Sequence, residues 1–314
     1  MATLRVVNSL YRTLLSDKTK KKSEKAILVI AILSFIVHLI VIYLVDFGFM
    51  SMDGSSVFLK NPIVAIYTPF SFILLYEVYL LIYYLPKSFT IYIIKQYEII
   101  TLIIIRRLFK DLSNLTLSTD WFYIQNDLQF TYDLVTSILL FVLIFLFYVQ
   151  SKKRYGSGDL SPANMESITK FITIKKVLAT SLVPIFMLLA MYSLFNWSTG
   201  VLYPNKEAVD SFSNINNIFF EQFFTILIFA DVILLLFSFF HTDEFHKVIR
   251  NSGFIISTIL IRISFAAEGL LNNLLILSAI VFGLIMLVIH NQFEKQIALE
   301  KERTSSPEVD LSLT

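Results

Sequence analysis

The stretch YEVYLLIYYLPKSFTIYIIKQYEIITLIIIRRLFK, Tyr76 to Lys110, decides how this chain is read. Most of it is apolar enough to lie in a bilayer, yet it carries Glu77, Lys95, Glu98, Arg106 and Arg107. Pro86 to Ser88 interrupt it after Leu85, and a proline there ends a helix. The stretch is therefore an antiparallel hairpin of two apolar helices with embedded charge. Counting its charged second helix (89–110) and a similar run at 244–266 as spans gives the chain eight crossings; treating both as loops leaves six.

Composition sets the class. The chain has 314 residues, 56% hydrophobic and 16% charged, with thirty Phe and fifteen Tyr, and a mean hydropathy of +0.71. A soluble domain of this length cannot hide so much apolar surface, which points to an all-α polytopic membrane protein. With no Cys, disulfides, thiol catalysis and cysteine-held zinc or iron–sulfur clusters are excluded. The basic leader precedes an apolar run of about twenty residues, longer than the core of a cleavable signal, so it reads as a retained first span.

Six hydrophobic runs fall at about 26–45, 63–85, 133–150, 175–196, 216–240 and 270–292. Eight spans gather Lys18, Lys20, Lys25, Lys152, Lys170 and Lys176 on one side, and leave Lys60, Lys110 and Lys206 among acids on the other. That bias places both termini in the cytoplasm, in a plasma (inner) membrane. The expected organisation is a basic leader (1–25), a four-helix transmembrane bundle (26–150), a cytoplasmic linker (151–174), a second four-helix bundle (175–295) and a partly disordered tail (296–314). The leader's Leu4, Val7, Tyr11 and Leu14 have helical spacing and suit a membrane surface.

The halves resemble one another. LLYEVYLLIYYL (74–85) aligns with LIFADVILLLFSFF (227–240) when Glu77 is set on Asp231; after one residue of slippage Lys95 falls on Arg250 and Arg107 on Arg262. Each half has an even number of spans, so the repeat is parallel.

An unpaired charge inside a bilayer costs about 2.5–3.5 kcal/mol on insertion scales. At 1.5 Å per residue, Glu77 and Lys95 both lie roughly 9–12 Å from the inner end of their helices. Glu77–Lys95 and Asp231–Arg250 are therefore expected to pair across their hairpins. Lys95, Glu98, Leu102 and Arg106 share one helix face, expected to point into the bundle or at a second copy of the chain. Asn251, Thr258 and Arg262 share another.

The run from Glu77 through Pro86 and Lys87 to Glu98 resembles the second and third helices of voltage-sensor domains in cation channels. The resemblance implies a four-helix domain with Glu77 and Glu98 as its acids. It stops at the fourth helix, where DLVTSILLFVLIFLFYVQ carries no arginine.

Little else suggests chemistry. His38 has no partner for haem at its depth, and His241, Asp243 and His246 read as a solvated turn. No H-E-x-x-H, G-x-S-x-G or phosphate loop occurs, so neither an enzyme, a metal nor a cofactor is expected. The inner basic residues suit anionic lipid heads rather than nucleic acid. The functional expectation is a channel or transporter for small ions, protons or monovalent cations. Its candidate path or gating residues are Glu77, Lys95, Glu98, Arg106, Asp231, Arg250 and Arg262. The alternative is a non-transporting scaffold or sensor that docks a partner.

Overall fold

The computed structural model describes residues 2–48, 62–112, 115, 125–153, 162–202, 211–240, 244–267 and 269–305. The described residues form nine α-helices and one short 3-10 turn, Pro62–Ile66: α1 Ala2–Leu14, α2 Asp17–Asp46, α3 Tyr67–Tyr84, α4 Phe89–Leu112, α5 Gln125–Ser151, α6 Pro162–Leu202, α7 Ser211–Phe239, α8 Phe245–Ser264 and α9 Gly269–Ser305. No strand occurs among them. After the leader helix α1, every one of the eight expected segments is helical. α6 begins inside the segment expected as a linker, and α9 runs on into the expected tail. His241, Asp243 and residues 306–314 lie outside the described residues.

Local chemistry sets the ends. Ser16 caps α2 by accepting the Thr19 amide at 3.2 Å, with Asp17 in the first turn to complement the helix dipole. α3 stops before Pro86, and the Ser88 hydroxyl accepts the Ile91 amide at 3.3 Å to start α4. Gly269 opens α9 at φ +61, a left-handed position that favours glycine.

Five helices are long and apolar enough to cross a membrane: α2, α5, α6, α7 and α9; α3 adds a shorter apolar helix. Their outward faces carry exposed Leu, Ile, Val, Phe and Met, such as Ile32, Val37, Phe145, Leu188 and Leu271. A bilayer solvates such faces; water would not. The chain is thus an all-α membrane protein.

Packing runs in sequence order within each set of four: α2 on α3, α3 on α4, α4 on α5, then α6 on α7, α7 on α8, α8 on α9. The sets meet through corresponding helices, α5 on α9 and α4 on α8. At their junction Tyr97 of α4, Phe147 of α5 and Phe254 of α8 are fully buried, with ring centroids 5.2 and 5.6 Å apart. The Tyr97 hydroxyl shares a hydrogen bond with Ser257 at 2.7 Å and lies where a side chain on Gly283 of α9 would stand. The charged helices α4 and α8 therefore sit at the centre, and apolar helices lie around them.

The leader helix packs on α6. The elbow between α1 and α2 is tied to α3 by tyrosines spaced along one face: Tyr76 donates to Glu24 at 3.2 Å, Tyr79 to the Leu14 carbonyl at 2.9 Å, and Tyr83 to Asp17. The Tyr83 bond, helped by Lys87, Lys20 and Lys21, holds the Asp17 carboxyl below its ordinary range.

Candidate functional site

Buried polar side chains gather where α4, α7 and α8 meet. The face of α8 singled out from spacing supplies Asn251 and Thr258, both buried, and Arg262. On α7, Asp231 and Ser238 are seven residues apart and both buried, so they share a face. Asn251 donates to the Ser238 hydroxyl at 3.0 Å. Asp231, 1% exposed, accepts from Gln96 of α4 at 3.1 Å through Oδ2. The buried Tyr92 hydroxyl of α4 also faces this carboxylate, although its contact with Oδ1 falls short of full hydrogen-bond geometry.

Beside this carboxylate is a cavity of about 20 Å³, lined by Gln96, Asp231, Thr258, Arg262 and apolar side chains. One water needs roughly 10–15 Å³, so the space is large enough for one water, although its wall is mostly apolar. Arg262 also reaches the Thr225 hydroxyl at 3.5 Å. At the loop end of the bundle, where α4 starts and α5 finishes, a wider cavity of about 330 Å³ is lined by Ser88, Ser151, Lys153, Arg250, His290 and Glu294 among others. Arg250 is thus at the mouth of the wide cavity, and Asn251, its neighbour in sequence, starts the buried row that leads to Asp231.

The expected hairpin pairs are corrected. Lys95 does not take Glu77; it pairs with Glu98 on its own helix at 2.5 Å and lies over the Tyr84 ring, 5.4 Å from its centre. Both Lys95 and Glu98 are partly exposed, with side chains 29% and 40% accessible. So the stripe through 95, 98 and 102 faces outward, and only Arg106 at its end is buried. Glu77 is buried, and the cation acting on it is Arg106. Arg250 does not take Asp231 either. It donates to Asn251 at 3.2 and 3.0 Å and to His290 at 2.9 Å. The cation acting on Asp231 is Lys175 of α6, itself buried and anchored on the Lys87 carbonyl at 2.9 Å.

A second buried network ties the other end. Arg107 pairs with Asp133 of α5 and donates to Asn272 and Asn273 of α9 at 2.9 and 2.5 Å. Asp133, fully buried, also accepts from Gln129 at 2.7 Å and Asn273 at 2.6 Å. Gln96, Asp133, Lys175, Asn272, Asn273 and His290 were not among the candidates. The available signal was a polar side chain inside or at the edge of an apolar run, as in LLNNLLIL.

Comparison with protein-family models, with curated proteins and with solved structures finds no match for this chain.

Proposed function

We propose that this chain moves protons or small monovalent cations across the membrane along the seam between α4, α7 and α8. The observation that carries this reading is Asp231: a carboxylate buried in an apolar helix, hydrogen-bonded to Gln96 and faced by the Tyr92 hydroxyl, beside a cavity large enough for one water. Ionisable groups inside membrane helices mark ion or proton pathways more often than packing. Arg250, Asn251 and Ser238 are hydrogen-bonded in series from the wide cavity inward, and Asp231, with Gln96 and Arg262 around the small cavity, lies about 10 Å further along α7. Glu77 with Arg106, and Lys95 with Glu98, are balancing pairs that keep charge tolerable in the same helices.

In this reading all eight helices after the leader cross the bilayer, as two like-oriented sets of four, with both termini in the cytoplasm of a plasma membrane. The burial of Arg106 on α4 and of Asn251 and Thr258 on α8 favours it. The likeness of residues 77–98 to the helices of sensor domains agrees with a four-helix unit. The wide cavity then opens toward the cytoplasm and anionic lipid heads.

Flux through purified protein in liposomes tests it, with a pH-sensitive dye and with potassium or sodium gradients under imposed potentials. Expected is a flux that Asp231→Asn lowers about 100-fold or more, as loss of a proton-transferring group does. No flux of any of these ions would overturn it. The scaffold reading would then stand, with the interlocked Arg107–Asp133–Asn273 network as its support.

A further inference from the structure

A cluster of ionisable side chains at the loop end of α8 and α9 borders the wide cavity from which that seam starts. His246 is the second residue of α8, and His290 and Glu294 lie one turn apart on α9. Both histidines are buried, and their rings stack with centroids 5.2 Å apart. His246 Nε2 lies 2.9 Å from Glu294 Oε1 and 3.4 Å from Glu244 Oε2. His290 Nε2 lies 3.9 Å from the same Glu294 oxygen. The donor atoms of His246, His290 and Glu294 all fall within 4.8 Å of one another.

We propose that His246, His290 and Glu294 form a binding site for a divalent transition-metal ion, with Glu244 or water as the fourth donor. Tetrahedral bonds of 2.0–2.2 Å hold their donors roughly 3.3 Å apart, and the distances here, 2.9, 3.4 and 3.9 Å, straddle that value. Two imidazoles with one or two carboxylates suit zinc, cobalt or nickel; calcium and magnesium prefer oxygen alone.

Arg250 sharpens the case. A guanidinium has donors only, so its 2.9 Å contact requires His290 Nε2 to accept. That lone pair is the one a metal needs, and Arg250 therefore competes with the ion for it. When the ion binds, Arg250 moves off His290 into the wide cavity that both residues line, still held by Asn251. His246, which donates to Glu294 from Nε2, changes tautomer: the proton passes through water from Nε2 to Nδ1, and the neutral ring then offers its Nε2 lone pair to the ion. The bland alternative is a clasp of hydrogen bonds that joins α8 to α9 and binds no ion. The inference does not depend on the transport reading.

The test is titration of the chelator-treated, full-length protein in detergent with Co²⁺, followed by its visible absorption and by Zn²⁺ competition. Expected is one Co²⁺ per chain, displaced by Zn²⁺. His290→Ala and the nearly isosteric Glu294→Gln each weaken binding by more than the ~10–100-fold that loss of an outer-shell partner costs. Arg250→Gln binds more tightly, a gain that misfolding cannot produce, and His38→Ala binds like the parent. Absence of stoichiometric Co²⁺ binding, or binding unchanged in Glu294→Gln, would overturn the site.

Discussion

α4 and α8 hold corresponding places, each third in its run of four helices, yet they dispose of their charges in opposite ways. α4 carries Lys95 and Gln96 where α8 carries Arg250 and Asn251. Lys95 turns outward to Glu98 one turn along its own helix. Arg250 turns inward, to Asn251 and to His290 on α9. Gln96 reaches into the other set of four, to Asp231, whereas Asn251 stays within its own, on Ser238. α8 contains no acid, so its basic residues must find partners across an interface. α4 offers Lys95 an acid at the right spacing, while its Arg107 crosses to Asp133 of α5. For Lys95 and Arg250, whether the charge crosses an interface thus follows what its own helix offers one turn away.

Three experiments break or sharpen this contrast. The largest effect belongs to the buried end of α4. Arg107→Ala strands the fully buried Asp133, and loss of one member of such a pair costs about 3–5 kcal/mol, read by thermal unfolding in detergent. An equal loss from Lys95→Ala would erase the distinction between inward and outward charge. Next are the two glycine contacts with α9. A side chain on Gly283 meets the hydroxyl of Tyr97 on α4; one on Gly253 of α8 meets Met286. Gly283→Ala should cost about 1–3 kcal/mol, the usual range for overpacking, because the Tyr97 ring cannot turn aside without losing Ser257. Gly253→Ala should cost less, since methionine repacks. A reversed order would mean α8 is the more rigid neighbour. The smallest effect is the Lys95–Glu98 coupling. A double-mutant cycle with Lys95→Ala and Glu98→Ala should give about 0.2–1 kcal/mol, as for exposed pairs. A zero coupling would show that the two act separately.

Much of the fold was legible because apolar runs and their interruptions are one-dimensional signals. The turn at Pro86, the helix after it, and the shared face of Asn251, Thr258 and Arg262 all follow from spacing alone. Partners were less legible. Depth matching of Glu77 with Lys95, or Asp231 with Arg250, fixes position along the helix axis and leaves rotation about it open. At about 100° per residue, Lys95 and Gln96 look in different directions from nearly one depth, and it is Gln96 that meets a carboxylate of another helix. A stripe of apolar residues, Ile93, Tyr97, Ile100 and Ile104, already marks the buried face of α4 and turns Lys95 and Glu98 away from it. The Arg107 network was hidden for another reason. Its members come from helices far apart in sequence, and neither Asp133 nor the Asn272–Asn273 pair shows by spacing which helix it will face.

The reach of Gln96 to Asp231 has a consequence for biosynthesis. The amide leaves the ribosome 135 residues before the carboxylate it will bind, and Lys87, whose carbonyl receives Lys175, emerges 88 residues before that lysine. The N-terminal quartet thus offers a waiting template, and the aspartate-bearing helix can exit the insertion machinery directly onto a hydrogen-bond donor. Translation order and the order of burial are then the same.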